Sequence, residues 1–242
     1  VYMAFPGTGY QIEVYDPVTH YQQVRDVWIA GVRNQSNLER QEAGKEGRFT
    51  GKYAIQGNYN GYQVWDISNP GRPSLKTAYV CPGSQSDVSV YHNLLFVSGE
   101  NLAARLDCGT QGVEDTVSSE RLRGIRIYDI SDIAHPRNVG NVQTCRGSHT
   151  HTVLVDSTDR DNVYIYISGS APVRSASELA GCVGVMPAKD PNSAWFRIEV
   201  IKVPLTHPEQ AGIISSPRIF NGLVAPAKHG EAPEDSAATA KA

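Results

Sequence analysis

Methionine is almost missing from this chain: 2 residues among 242, against 12 tyrosines. Few flexible thioethers and many strand-favouring aromatics fit a β-rich protein. No apolar run approaches the roughly 18 residues that a membrane-spanning helix requires. Cysteine occurs 4 times, never as Cys-x-x-Cys, which argues against a structural zinc site. No Gly-x-Ser-x-Gly elbow, phosphate loop or dinucleotide fingerprint occurs, so the commonest catalytic frameworks have no sequence support. Neither sign of charge dominates: Lys and Arg number 22, Asp and Glu 25, for a net charge of −3. A nucleic-acid partner is therefore not expected, because phosphate recognition calls for a basic stripe. The first residues, Val1-Tyr2-Met3, carry neither an initiator methionine nor a signal segment.

What the chain does have is repetition. Gly61-Tyr62-Gln63-Val64-Trp65-Asp66-Ile67-Ser68-Asn69-Pro70 returns as Gly124-Ile125-Arg126-Ile127-Tyr128-Asp129-Ile130-Ser131-Asp132-Ile133. A further proline, Pro73 or Pro136, follows each copy. The residues alternate with a period of two, which is strand periodicity. Asp66, Ser68, Asp129 and Ser131 recur just before turn prolines, where carboxylates accept backbone N–H groups; they read as structural residues of the repeat.

Each copy is followed by three more extended runs. They are Lys76–Val80, Asp87–Val90 and Leu94–Gly99 in one, and Asn138–Val142, His149–Val153 and Val163–Gly169 in the other. Weaker copies flank these, at Tyr10 to Pro17 and Arg197 to Pro204, and Lys52–Gly57 leads into the first clear one. Four short strands per unit, arranged in series, predict an all-β fold: a β-propeller of four-stranded blades. A β-sandwich is the alternative.

The Gly-x-x-x-x-Asp-Ile-Ser-x-Pro-x-x-Pro element, followed by Asp87-Val88-Ser89-Val90 and Leu94-Leu95-Phe96-Val97-Ser98, resembles the LVIVD repeat. The resemblance runs from about Phe49 to Phe220. It implies an extracytoplasmic β-propeller, periplasmic, secreted or surface-anchored, and it supplies no catalytic residues. Members of the similar branch are longer, so an incomplete array of about 3–4 blades is expected here, with the missing blades of the same protein as partners. Residues 1–48 read as outlying strands and a mixed-charge loop, 49–220 as the blades, and 221–242 as a disordered tail or truncated loop.

Ser148-His149-Thr150-His151-Thr152 is the best candidate for chemistry. Residues two apart on a strand share a face, so His149 and His151 project together, and the preceding unit brings Asp87. Ser148 and Thr150 complete this candidate ligand or channel-lining set. Two imidazoles and a carboxylate suit a divalent metal, with His149 and His151 as its ligands. Ordinary channel filling by hydrogen-bonded polar residues is the other reading.

Cys81 and Cys145 occupy equivalent places between units, and Cys108 and Cys182 lie in two long insertions, 101–123 and 170–194. Both insertions fall on one face, so all four cysteines are disulfide candidates. Three pairings are open, and disulfides fit an oxidising compartment. Loops on a rigid scaffold carry recognition. The sequence thus favours a non-catalytic binding module that takes a protein or glycan on the insertion face. A metal-dependent hydrolase or oxidoreductase using His149 and His151 is the second reading.

Overall fold

The computed structural model describes residues 53–219, apart from Pro70 and Gln85, together with Gly222 and the backbone of three strands nearer the N terminus. Those three are β1 (Tyr2–Ala4), β2 (Gln11–Tyr15) and β3 (Gln22–Arg25), which form an antiparallel sheet of their own. The outlying repeat copy expected at Tyr10 to Pro17 thus has a strand at its centre. The mixed-charge loop expected before Phe49, and the tail expected at 221–242 except for Gly222, lie outside the described residues.

The remaining strands follow in chain order. They are β4 (Tyr53–Asn58), β5 (Gly61–Asp66), β6 (Ser74–Val80), β7 (Val88–Tyr91), β8 (Leu94–Gly99) and β9 (Gly124–Asp129). Then come β10 (Arg137–Gln143), β11 (Thr150–Leu154), β12 (Asn162–Ser168), β13 (Glu199–Pro204) and β14 (Gly212–Ser215). A single 3-10 turn, Pro208–Gln210, is the only helical element among the described residues. The fold is all-β.

These strands pair antiparallel, each with its neighbour in sequence, into three blade-like sheets: β4–β5–β6, β7–β8–β9–β10 and β11–β12–β13–β14. The sequence repeat begins inside a sheet, at β5 or β9, and crosses into the next, so each unit read from sequence takes strands from two adjacent sheets. Strand β7, the first of the middle sheet, touches both β4 and β11. No sequence signal had marked β14. It is short and largely exposed, and it pairs with β13 through a register shift.

Alternation puts the two faces of each strand to separate use. From the middle sheet, Leu94, Phe96, Ile125 and Ile127 pack against Val163, Ile165, Ile167, Ile201 and Val203 of the last. The intervening residues Leu95 and Val97, with Val88, Val90 and Tyr128, pack against Ile55, Tyr62 and Val64 of the first. Strands β7 and β8 consequently have no exposed position. Tyr62 stacks on Tyr79 with centroids 5.2 Å apart, and both meet Tyr128 edge-on. Burial pushes the Tyr62 and Tyr128 phenols well above the ordinary range.

The glycine that opens each clear repeat has a geometric cause. Gly61 and Gly124 adopt φ of +136° and +151°, and a Cβ there would lie 2.0 Å from Tyr79 O and 1.9 Å from Val142 O. Strands β5 and β9 can begin so close to the ends of β6 and β10 only where no side chain intervenes. Gly212 also sits on a strand, but a Cβ there meets nothing within 4 Å. Gly124→Ala is expected to lower the urea midpoint by an amount equivalent to about 2 kcal/mol or more, while Gly212→Ala leaves it nearly unchanged. Equal effects would show that the backbone approach at Gly124 imposes no constraint.

Candidate functional site

The seam between the middle and last sheets gathers most of the residues singled out in the sequence. Strand β11 starts at Thr150, so His149 stands just ahead of it and His151 is its second residue. Both rings lean on the end of β8. His149 Nδ1 bonds the Glu100 carboxylate, which also accepts the Ser170 hydroxyl and the Ser170 backbone N–H. The His149 side chain is 37% exposed. Two residues on, the His151 side chain is wholly buried. Its Nδ1 lies 2.8 Å from Ser98 Oγ and 3.3 Å from Asp87 Oδ2. Asp87 also accepts the His151 backbone N–H at 2.9 Å, and so ties β11 to the start of the middle sheet.

The hydrogen-bond chain assigns the tautomer. Ser148 Oγ donates to the Thr150 carbonyl at 3.2 Å, which uses its only proton. Ser98 Oγ, 2.8 Å from Ser148 Oγ, must then donate to it. Ser98 is left to accept from His151, so the imidazole proton sits on Nδ1. The opposite nitrogen, Nε2, is buried and has no hydrogen-bond partner among the described residues. Ser and Asp both lie on the same ring nitrogen, so the group does not form the relay of a nucleophilic triad. Thr150 itself is exposed and contributes its carbonyl.

Only His151 lies on the strand, and each histidine is engaged by its own partner, His149 by Glu100 and His151 by Ser98 and Asp87. Among the described residues, no group of three or more His, Cys, Asp or Glu side chains is placed to hold a metal ion. Glu100, Ser98 and Ser170 are the site residues that the motif search missed. The only available signal was the recurrence of Ser98-Gly99 as Ser168-Gly169 at the end of the second strand.

Both insertions join strands two and three of a sheet, 101–123 between β8 and β9 and 170–194 between β12 and β13. The disulfides are Cys81–Cys108 and Cys145–Cys182. Each staples an insertion to the segment that enters the same sheet, and the two are equivalent by the repeat. Tyr128 Oη reaches Cys81 Sγ at 3.5 Å, so the tyrosine cluster supports the first disulfide from below.

Buried charge organises the insertions. Arg105 grips Asp107 through two bonds of 2.8 and 2.7 Å and Glu120 through one of 2.7 Å. These bonds hold the Asp107 carboxyl far below its usual range. Arg121 donates to Leu102 O at 2.6 Å and crosses to Glu178 of the second insertion. Arg174 meets the same carboxylate at 2.5 Å, and both the Arg174 and Glu178 side chains are almost fully buried. Glu178 also accepts the Ser118 backbone N–H at 3.2 Å. A carboxylate enclosed this way needs both cations, and the cations need it. Nearby Arg123 is buried, with its pKa pushed down to about 10 by desolvation and then by Arg174.

The repeat elements serve the turns. Asp66 Oδ1 accepts the Ser68 N–H at 2.9 Å. Asp129 Oδ1 accepts the Ser131 N–H at 2.9 Å and its hydroxyl at 2.6 Å.

The LVIVD repeat, as a protein family, matches residues 49–80 of this chain. That span holds β4, β5 and β6. The similarity thus covers the β4–β5–β6 sheet. A comparison with curated proteins returns no match.

Burial lowers the His151 pKa, and Asp87 offsets this only in part. The folded protein keeps the ring neutral, whereas the unfolded chain protonates it at about 6.5. The unfolded state then binds more protons, so stability is fully present above about pH 6.5 and falls as pH drops below it. Urea midpoints measured between pH 5 and 7.5 are expected to rise with pH. In His151→Asn, whose amide can replace the Nδ1 proton, that slope should flatten; an unchanged slope would assign it to another group.

Proposed function

We propose that this chain is an extracytoplasmic propeller-like module that binds a protein or glycan through the face built by its two insertions. The observation that carries this reading is the way those loops are held. Each is closed by its own disulfide, and Glu178 joins one to the other. Loops prepared in this way lose little freedom on binding, which is what a recognition surface requires. They also expose apolar side chains: Leu102 at 52% and Val117 on the first insertion, Met186 at 52% and Val185 on the second. Two disulfides with no free cysteine among the described residues fit an oxidising compartment. Further blades of the same protein are natural neighbours for a repeat of this type.

A metal-dependent hydrolase or oxidoreductase is a second reading because of one observation, the buried Nε2 of His151, which has no partner among the described residues. A divalent metal at His149 and His151 would need further ligands from outside the described residues. Plasma mass spectrometry on the purified protein and a His149→Ala/His151→Ala variant tests it. Stoichiometric metal lost in the variant would favour the enzyme.

Two measurements test the binding reading. Thiol labelling in intact native cells should modify none of Cys81, Cys108, Cys145 and Cys182 before reduction; labelling without reductant would place the protein in a reducing compartment. Immobilised protein, presented with a glycan array and with envelope proteins, should lose its signal in Leu102→Asp/Met186→Asp. It should keep the signal in Lys76→Asp, on the exposed face of β6. Equal loss in both, or in neither, would separate recognition from the insertions.

A further inference from the structure

The two disulfides are equivalent in the repeat, but their sulfurs have different neighbours. Cys81 Sγ accepts a hydrogen bond from the Tyr128 hydroxyl at 3.5 Å, and the same hydroxyl lies 3.8 Å from Cys108 Sγ. Burial raises the pKa of that phenol, so it is a neutral donor. Arg126, beside Tyr128, donates to the carbonyls of Pro82 and Arg105 rather than to a sulfur. Strand registers set Tyr128 opposite Leu95 and Ile201 opposite Ile165, so the last sheet has an isoleucine where the middle sheet has this tyrosine.

A cation takes the sulfur there instead. Arg197 Nη2 donates to Cys145 Sγ at 2.9 Å and to Glu199 Oε1 at 2.8 Å. Its Nε is buried and has no acceptor among the described residues. A guanidinium does little for a sulfur in a disulfide and much for a thiolate. An adjacent arginine lowers the pKa of a thiol, and a disulfide whose reduced form is stabilised in this way is easier to reduce. Glu199 competes for Arg197, but the unused Nε–H and the Arg146 side chain act the other way. Arg146, Arg197 and Glu199 line one gap beside Cys145, two cations to one carboxylate. Glu100, the other acid near Arg146, is bound to His149.

We propose that Cys145–Cys182 is a redox switch for the second insertion, opened by an external dithiol while Cys81–Cys108 stays closed. A thiolate of the reductant attacks Cys182 Sγ. The bond to Cys145 breaks, and Cys145 leaves as a thiolate against Arg197. The second sulfur of the reductant then closes onto the first, and Cys182 leaves and takes a proton. Two electrons pass to the protein; of the two dithiol protons, one stays on Cys182 and one goes to solvent. Both cysteines are 4% exposed, so the exchange proceeds as the insertion opens locally. Reduction removes the disulfide tie between 170–194 and the segment entering the sheet. Glu178 rides on that insertion, so its hold on Arg121 is loosened with it. The consequence for recognition rests on the binding reading; the disulfide chemistry does not.

The full chain is equilibrated in mixtures of reduced and oxidised dithiothreitol, quenched with N-ethylmaleimide and mapped by peptide mass spectrometry. Half reduction of Cys145–Cys182 is expected at a reduced-to-oxidised ratio about tenfold lower than for Cys81–Cys108, a difference of about 30 mV. Reduction of both at one ratio, or of Cys81–Cys108 first, would overturn the proposal. Arg197→Gln/Glu199→Gln exchanges the ion pair for two amides and leaves neither charge unpaired. It should raise the ratio for Cys145–Cys182 about tenfold and leave Cys81–Cys108 unchanged. An unmoved ratio, in a variant with the circular dichroism of the parent, would remove Arg197 from the argument and sink it. Release of Cys145 as a thiolate also sets a pH profile. From about pH 6 to 8 the parent ratio should fall by up to about tenfold per unit, and the double variant should stay nearly flat. Parallel profiles in the two proteins would equally overturn the switch. None of these readouts needs a partner: failure to find one for the insertion face would end the binding reading and leave the ratios standing.

Discussion

A sheet that is apolar on both faces cannot be left in water on either. The inner strands of the middle sheet are in that position, with β8 buried throughout and β7 buried at every residue but Tyr91. The two faces of that sheet demand two neighbours, and the sheets on either side supply them through separate apolar clusters. Burial of each large side chain is worth roughly 1.5–3 kcal/mol, so sheet-to-sheet packing is the main stabilising term here. The rest of the described fold depends on it. Loops, disulfides and buried charges are all placed relative to sheets held in fixed order by this stacking.

The insertions extend the same frame in a different currency of interaction. They have little apolar core of their own, and the third cluster is small, with Cys145, Cys182 and Ala194 at its centre. Disulfides and arginines do the work instead. Each disulfide closes a short path back to the segment entering its sheet, and Arg105 and Arg121 bind carbonyls and carboxylates that would otherwise stay in solvent. Such an arrangement yields a stiff surface from polar sequence. Stiffness without regular structure is the property that recognition loops share.

The histidine seam is a polar motif built into the stacking of two sheets. His151 is locked by Ser98, Ser148 and Asp87 across two sheets, and its locked tautomer leaves Nε2 as a bare acceptor. His149 is open at the rim and oriented by Glu100. Arg146 stands three residues before His149 on the same entering segment and lies over the Trp195 ring. These polar groups therefore sit where one sheet hands over to the next. The repeat is least regular there, and its side chains are free to differ.

Strand content, repeat and the location of both insertions were legible in the sequence, because alternation and turn chemistry are local properties of a few consecutive residues. The Gly61 and Gly124 positions, the Asp-Ile-Ser strands and the apolar runs of β8 and β12 all belong to that class. The disulfide pairing did not. Cys81 could meet Cys108, Cys145 or Cys182 until folding set one insertion over one entering segment. Nor could sequence reveal that His149 and His151 would find Glu100 and Ser98, roughly fifty residues away along the chain. The Glu178 bridge is of the same kind. Contacts between distant residues depend on how sheets stack, and stacking is set by the whole apolar surface rather than by any local pattern.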